Sequence, residues 1–449
     1  MQTQLEEVAS QLIEAAVRNG ATAADVVVVE GSSLDVAVRL GEIEKLKQAR
    51  EKHLGLRVFV GERSAVTSSA DFSRQSLDKL AADSCALARV LAPDSFAGLP
   101  QDGSMTADDI DLDLYDPEVA AFTPERAIAF AQEAEAAARD TDPRITNSEG
   151  AHCSASSSRF IYASSAGFVG GYDSSSISLW AVPVASENGS MQRDHWYSAR
   201  RKLAELESPA SIGRKAAERA LRRLNARQVR TCEVPVVFDP QMASSLIGHL
   251  AGAVSGDAVF RGVSFLVGKI GQRIAPEFFT IIDDGRLEHG LASRPFDGEG
   301  LPTRRTVVVD GGRLSSYLCD TYSGRKLGLA STGNASRPIG GAPHSSPSNF
   351  VLQPGSATPE EIIKSVKSGL YVTELIGFGV NGTTGDYSRG ASGMWIEDGE
   401  LVYPVEQITI AGNLLPMYEA IEVVGNDIDL RRTVVAPTLK IARMTVAGN

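Results

Sequence analysis

Apolar residues recur along this chain at two spacings, three-to-four and two, and the switches between them mark out its elements. Residues 4–18 place Leu5, Val8, Leu12, Ile13 and Ala16 on one face and stop at Gly20, which predicts an amphipathic helix. Strand-like runs follow at Asp25–Glu30, at Ser33–Leu40 and at Gly55–Val60. The last turns through Gly61-Glu62-Arg63 into Ser64–Ser69 as a hairpin. Helical spacing returns from Ser73 to about Ala92, with Leu77, Leu80, Ala81, Cys85 and Val90 expected inward. Residues 93–122, rich in Pro, Asp and Gly, have little periodicity and are expected to form a long surface connection. Thr123-Pro124-Glu125 opens a helix to about Arg139. From Ile145 to Val182 apolar residues alternate with serines, and the clusters Ser154–Ser158 and Ser174–Ser178 suggest edges and turns of an antiparallel sheet. A helix from Ser208 to about Asn225 closes this half.

In the second half a strand, Cys232–Phe238, feeds a helix. Asp239 is its expected N-cap, Pro240 its first residue, Met242, Leu246, Ile247, Leu250 and Val254 its buried stripe, and Gly256 its stop. Beyond Phe260 short strands dominate: Phe278–Ile282, Thr306–Val309, Arg313–Leu318, Met394–Ile396, Leu401–Tyr403, Ile408–Ile410, Tyr418–Val423 and Thr438–Val446. Asp310-Gly311-Gly312 and Glu397-Asp398-Gly399-Glu400 supply the positive φ of hairpin turns. A helix at Thr358–Ser368 opens with a capping box of Thr358 and Glu361. Strands adjacent in sequence, with helices grouped between them, predict an α+β fold. The expected division is an N-terminal α+β domain (1–229), with an antiparallel sheet and long helices, and a mostly antiparallel β domain with few helices (230–449), barrel-like or layered.

Composition narrows the function. At 449 residues, 43% hydrophobic and 22% charged, the chain is globular and long enough for two domains. A net charge of −12 argues against direct nucleic-acid binding, which needs a basic face; Arg214–Arg230 reads as a solvated helix face. Cys85, Cys153, Cys232 and Cys319 lie far apart, as expected of buried free thiols in a reducing compartment. The acidic N-terminus lacks the features of a secretion signal and no window reaches ~18 apolar residues, so a cytoplasmic protein without a membrane span is expected. Without GxGxxG after a strand, P-loop or GxSxG, the sequence supports neither a nucleotide cofactor nor a serine-hydrolase elbow.

Three stretches remain. His249 stands alone on its helix. Zinc needs three or four ligands, so its simplest reading is a core-edge histidine bonded to backbone, with a ligand role as the alternative. The run from Gly333 to Asn349, dense in Gly and Pro, predicts a long loop. It leads into Phe350-Val351-Leu352, a strand that would accept a peptide if its edge were free. The glycines between Glu374 and Gly393 serve turns or bulges between short strands.

Together, "SLIGHLAGAVSGDAVFRGVSFLVGKIGQRIAPEFFTIIDDG", "TGNASRP", "GDYSRGASGMWIEDGELVYPV", "VGNDIDL" and the terminal "APTLKIARMTVAGN" resemble the TldD/PmbA family, once called modulators of DNA gyrase. The N-terminal "KLKQAREKHLGLRVFVGERSAVTSSADFS" resembles it as well. The resemblance implies that TldD-type subunits are metallopeptidases with His-Glu-x-x-x-His on the helix and a cysteine near the C-terminus. Here Ser244 and Ser245 occupy the first two positions, only His249 matches, and no cysteine lies near Arg431-Arg432-Thr433. The similarity is therefore to the PmbA/TldE branch. It implies a partner of a TldD-like zinc subunit acting on unfolded peptides, with no metal, cofactor or catalytic residue of its own; whether homodimers form when the partner is absent is left open. His249, Asp257, Arg337, Pro338, His344 and Asn349 are the channel or interface candidates. The alternatives are a rearranged metal site joining His249 to His344 or Asp257, and a binding protein acting on gyrase.

Overall fold

The computed structural model describes residues 4–101 and 110–449. Helix α1 (Gln4–Arg18) leads into long strands: β1 (Ala23–Arg39), β2 (Glu42–Val60) and β3 (Arg63–Ser69). Helix α2 (Arg74–Val90), short α3 (Pro117–Ala120) and α4 (Pro124–Arg139) come next. They are followed by β4 (Ile145–Ser164), β5 (Val169–Glu187), β6 (Ser190–Arg193), β7 (Trp196–Arg200) and α5 (Pro209–Leu221). The strands form one antiparallel sheet in the order β3-β2-β1-β4-β5-β6, with β7 also on β5.

One face of this sheet carries two helical layers. Val26, Val28, Leu54, Leu56, Val58, Ile161 and Ala163 lie under α1 and α2. Leu34, Val36, Val38, Cys153, Ala155, Ile177 and Leu179 lie under α4 and α5. Burial of each large aliphatic side chain stabilises the fold by about 1.5–3 kcal/mol. Gly213 lets α5 approach α4 closely, since a Cβ there would fall 2.1 Å from the Ala134 carbonyl oxygen.

Several expectations change here. The two runs at 25–40 are one strand, and β2 extends back through 42–53, a charged segment exposed on both faces and therefore without readable alternation. The β1–β2 turn uses Leu40 at φ +52° before Gly41, and both amides donate to the Glu135 carboxylate at 2.8 Å. Val90, expected inward, is 80% exposed at the end of α2. The serine clusters are not edges or turns. They face each other mid-strand, Ser154 to Ser178, Ser156 to Ser176 and Ser158 to Ser174; the hydroxyls of the last two pairs bond across the ladder, and that of Ser154 donates to Asp35. In the expected 93–122 connection, 117–120 are helical and 102–109 lie outside the described residues.

The second half begins with β8 (Cys232–Phe238), α6 (Pro240–Ala253) and α7 (Gly256–Phe260). Strands β9 (Ile281–Asp284), β10 (Arg305–Asp310) and β11 (Arg313–Leu314) precede α8 (Thr321–Leu327). Then come β12 (Ala335–Ser336), β13 (His344–Ser345), β14 (Asn349–Leu352), α9 (Pro359–Lys364), β15 (Ser368–Ile376), β16 (Asp386–Glu397) and β17 (Glu400–Asn413). Helix α10 (Leu414–Glu419), β18 (Ile421–Val424), β19 (Val434–Val435) and β20 (Leu439–Ala447) complete the chain. The sheet β17-β16-β15-β8-β20-β18 closes on itself because β17 also pairs with β20, giving a barrel-like ring. A second sheet, β11-β10-β9-β14-β19, lies beside it. Pairing is mostly antiparallel, with parallel ladders at β8–β15 and β14–β19, and the fold is α+β.

Helices α8 and α10 escape the sequence reading because each is barely two turns long, too short for a periodicity. Gly256 does not stop α6, which ends at Ala253; it opens α7 after Ser255. The Gly333–Asn349 loop is tied by the β12–β13 ladder, and β14 is paired on both sides, so it has no edge for an incoming strand.

A buried ionic cluster joins the halves. Arg57 donates from Nε to Asp25 Oδ2 at 3.0 Å and from Nη2 to both Asp25 and Glu299. Tyr162 donates to Asp25 at 3.3 Å, and Arg337 Nη2 lies 3.0 Å from Asp25 Oδ1. Burial opposes the charge on Asp25, yet Arg337 and Arg57 hold its carboxyl below the usual value.

Candidate functional site

Helix α6 is set by its first turn. Asp239 Oδ1 accepts from Met242 N at 2.8 Å and Pro240 occupies N1, as the sequence predicts. Burial raises the Asp239 carboxyl despite Arg219, whose Nη1 stands 3.5 Å away and whose Nε lies 3.2 Å from Asp194. The N-terminus of the helix is thereby clamped to the first half. Leu246, Ile247 and Leu250 face the core.

Ser244 Oγ donates to the Pro240 carbonyl at 2.7 Å and accepts from Ala436 N at 3.1 Å, which pins the C-terminal segment to the helix. That segment carries Arg431, stacked 3.9 Å over the Trp196 ring, and Arg432, which donates to the Tyr197 hydroxyl. A lone imidazole beside hydroxyls and guanidinium groups does not fit a zinc ion, which takes thiolate, imidazole or carboxylate donors in threes or fours. Among the described residues no group of three or more His, Cys, Asp or Glu side chains is placed to hold a metal.

His249 is half-buried in a recess of about 350 Å³. Gly248, Gly252 and Ala253 form its helical floor, Val263, Phe378, Val380 and Gly382 its walls, and Arg389 its charged end. The expected backbone hydrogen bond is missing at Nε2, which is buried without a partner. The ring packs edge-on against Tyr387, 6.0 Å between centroids. Burial first, then Arg389, lowers the imidazole below its ordinary value, so it is neutral at pH 7.

The other candidates scatter. Asp257 Oδ2 accepts from Ser345 N at 2.7 Å and from Ser345 Oγ at 3.1 Å, so it anchors the β13 turn. His344 and Pro338 are exposed. Arg337 is buried in the ionic cluster. Asn349 is buried and satisfied, donating to the Asp284 carbonyl (2.7 Å) and Ser293 Oγ (2.8 Å) and accepting from Ala292 N (3.0 Å). The structure thus joins Asp257 to the His344 strand, while His249 faces Tyr387 and Arg389. Arg389 and Phe378 were not singled out by the sequence. The legible signal was Gly248-His249 followed by Gly252, which strips side chains from one helix face. Cys85, Cys153 and Cys319 are buried free thiols as expected, and Cys232 is half-buried.

Helix α6 lies against a closed sheet in this α+β architecture, and the domain models that match it are those of a metallopeptidase family. Models of the PmbA/TldA metallopeptidase domain 1, central domain and C-terminal domain match residues 24–88, 117–224 and 231–448. The chain is 38% identical to Metalloprotease PmbA of Escherichia coli O157:H7 over 99% of its length and 96% of that protein. A candidate modulator of DNA gyrase from Bacteroides thetaiotaomicron superposes with a TM-score of 0.92 at 29% identity, both chains covered completely. TldE of Thermococcus kodakarensis shares the fold (TM-score 0.89, 22% identity, 98% of this chain and 100% of that one). The chain belongs to the PmbA/TldD family, on its PmbA/TldE branch.

Proposed function

We propose that this chain is the non-catalytic subunit of a peptide-degrading heterodimer, paired with a zinc-bearing TldD-like homologue and acting in the cytoplasm on unfolded peptides. The observation that carries this reading is Ser244. The side chain at the first ligand position is spent on two backbone groups, Pro240 O and Ala436 N, and the neighbouring C-terminal segment presents arginines instead of a thiol. Without a carboxylate beside a metal-bound water, nothing there takes its proton. In this reading α6 and the Ser336–Phe350 loop line the channel or the subunit interface, and the chain divides into domains 1–229 and 230–449. Among the described residues no helix is long and apolar enough to cross a membrane.

The test is reconstitution. The purified chain with zinc and an unfolded peptide should give no cleavage, and cleavage should appear when the zinc-bearing homologue is added. Robust cleavage by this chain alone would overturn the proposal.

A further inference from the structure

We infer that the His249–Arg389 recess binds a carboxylate attached to an apolar group. Its polar end is formed by His249 and Arg389. His249 Nε2 is buried without a hydrogen bond. Arg389 donates from Nε to the Ile376 carbonyl at 3.3 Å and, among the described residues, has no carboxylate partner. A half-buried guanidinium with no carboxylate beside it suits an anion by its charge and its planar donor fork. The opposite end is apolar: Val380, Val263, which is 49% exposed, and Phe378, wholly exposed on its loop. The floor admits a ligand because a Cβ on Gly248 or Gly252 would meet nothing within 4 Å. A volume of about 350 Å³ lies within the range of small-molecule sites, roughly 300–1,000 Å³.

A planar carboxylate takes two parallel hydrogen bonds from the terminal nitrogens of Arg389, and the half-buried His249 ring closes that end of the recess. The attached apolar group then covers Phe378. Peptide C-termini and free aryl or alkyl acids share this chemistry. The inference concerns binding by this chain alone, so it stands or falls independently of the proposed partnership.

The experiment is calorimetric titration of the full chain with 3-phenylpropanoate, with N-acetyl-Ala-Phe bearing a free C-terminus, and with the amide of each. Both acids should bind and both amides should bind about tenfold or more weakly, the worth of one charge-assisted contact. Arg389→Gln should weaken the acids by a similar factor. Gly252→Val should abolish binding while leaving the melting temperature within about 2 °C, since a Cβ there meets nothing within 4 Å and the position is exposed. Tighter binding of the peptide acid identifies peptide C-termini as the source; equal binding identifies free acids. Equal affinity for acids and amides, undiminished binding by Gly252→Val, or no binding of any probe at about 10 mM would overturn the inference.

Discussion

Replacing Arg57 by methionine tests whether the buried cluster joins the two halves of the chain. The side chains of Asp25, Arg57, Glu299 and Arg337 are each at most 8% exposed, and their formal charges, two negative and two positive, cancel. Arg57→Met leaves two carboxylates facing one guanidinium and strips Asp25 of its best-directed hydrogen bonds. An unpaired charge left buried in this way costs about 3–5 kcal/mol. With a urea m-value of about 3 kcal/mol/M, the unfolding midpoint should fall by about 1–1.7 M. Arg337→Met leaves the same excess of one buried negative charge but breaks no well-directed hydrogen bond, so it should cost less, at the low end of that range, about 3 kcal/mol. Its nitrogens make no well-directed hydrogen bond despite the 3.0 Å approach to Asp25, and burial lowers its pKa, whereas pairing raises that of Arg57. Adding Asp25→Asn to Arg57→Met should restore part of the loss, because the orphaned anion is removed. Unfolding followed by far-UV circular dichroism and tryptophan fluorescence gives the midpoints. An Arg57→Met midpoint within about 0.3 M of the wild type, or a larger loss from Arg337→Met, would refute the reasoning.

Other perturbations follow from single contacts. Gly213→Val should destabilise by about 3 kcal/mol or more, read as a lowered melting temperature, because its Cβ would collide with the Ala134 carbonyl on α4. Asp239→Ala should cost about 1–2 kcal/mol by removing the α6 N-cap, and Asp239→Asn should recover part of it in the same melts. His289 bridges Glu205 and Asp113 at 2.5 and 2.8 Å. Burial works against its charge, but the hydrogen bonds outweigh it and raise its pKa. Its stabilisation is therefore complete below its unfolded value near 6.5 and disappears as pH rises through the higher folded value; His289→Gln should flatten melting temperature against pH across that window. The double substitution Ser244→His, Ser245→Glu should leave zinc below one equivalent after dialysis, by elemental analysis, because no third ligand is supplied.

The sequence alone determined the elements whose signals are local. Asp239-Pro240 wrote the start of α6, Thr358 with Glu361 capped α9, Asp398-Gly399 turned the β16–β17 hairpin, and alternation near 34–38 announced β1. The family motifs, and the serines at 244 and 245, were equally local. Tertiary structure decided what depends on partners distant in the chain. Serines that resemble turn residues became mid-strand ladders, where the hydroxyls of Ser156 and Ser158 meet those of Ser176 and Ser174 across β4 and β5. The charged segment 42–53 became a strand because β1 offers it a backbone ladder, which needs no buried face. Arg337, expected at a channel or interface, lies buried beside Asp25, 312 positions earlier in the chain (337 − 25 = 312). Arg389 met His249 through the fold of β16 against α6. Periodicity and capping act over a few residues and can be read from the chain, whereas charge pairing and cavity shape arise only when distant segments share space.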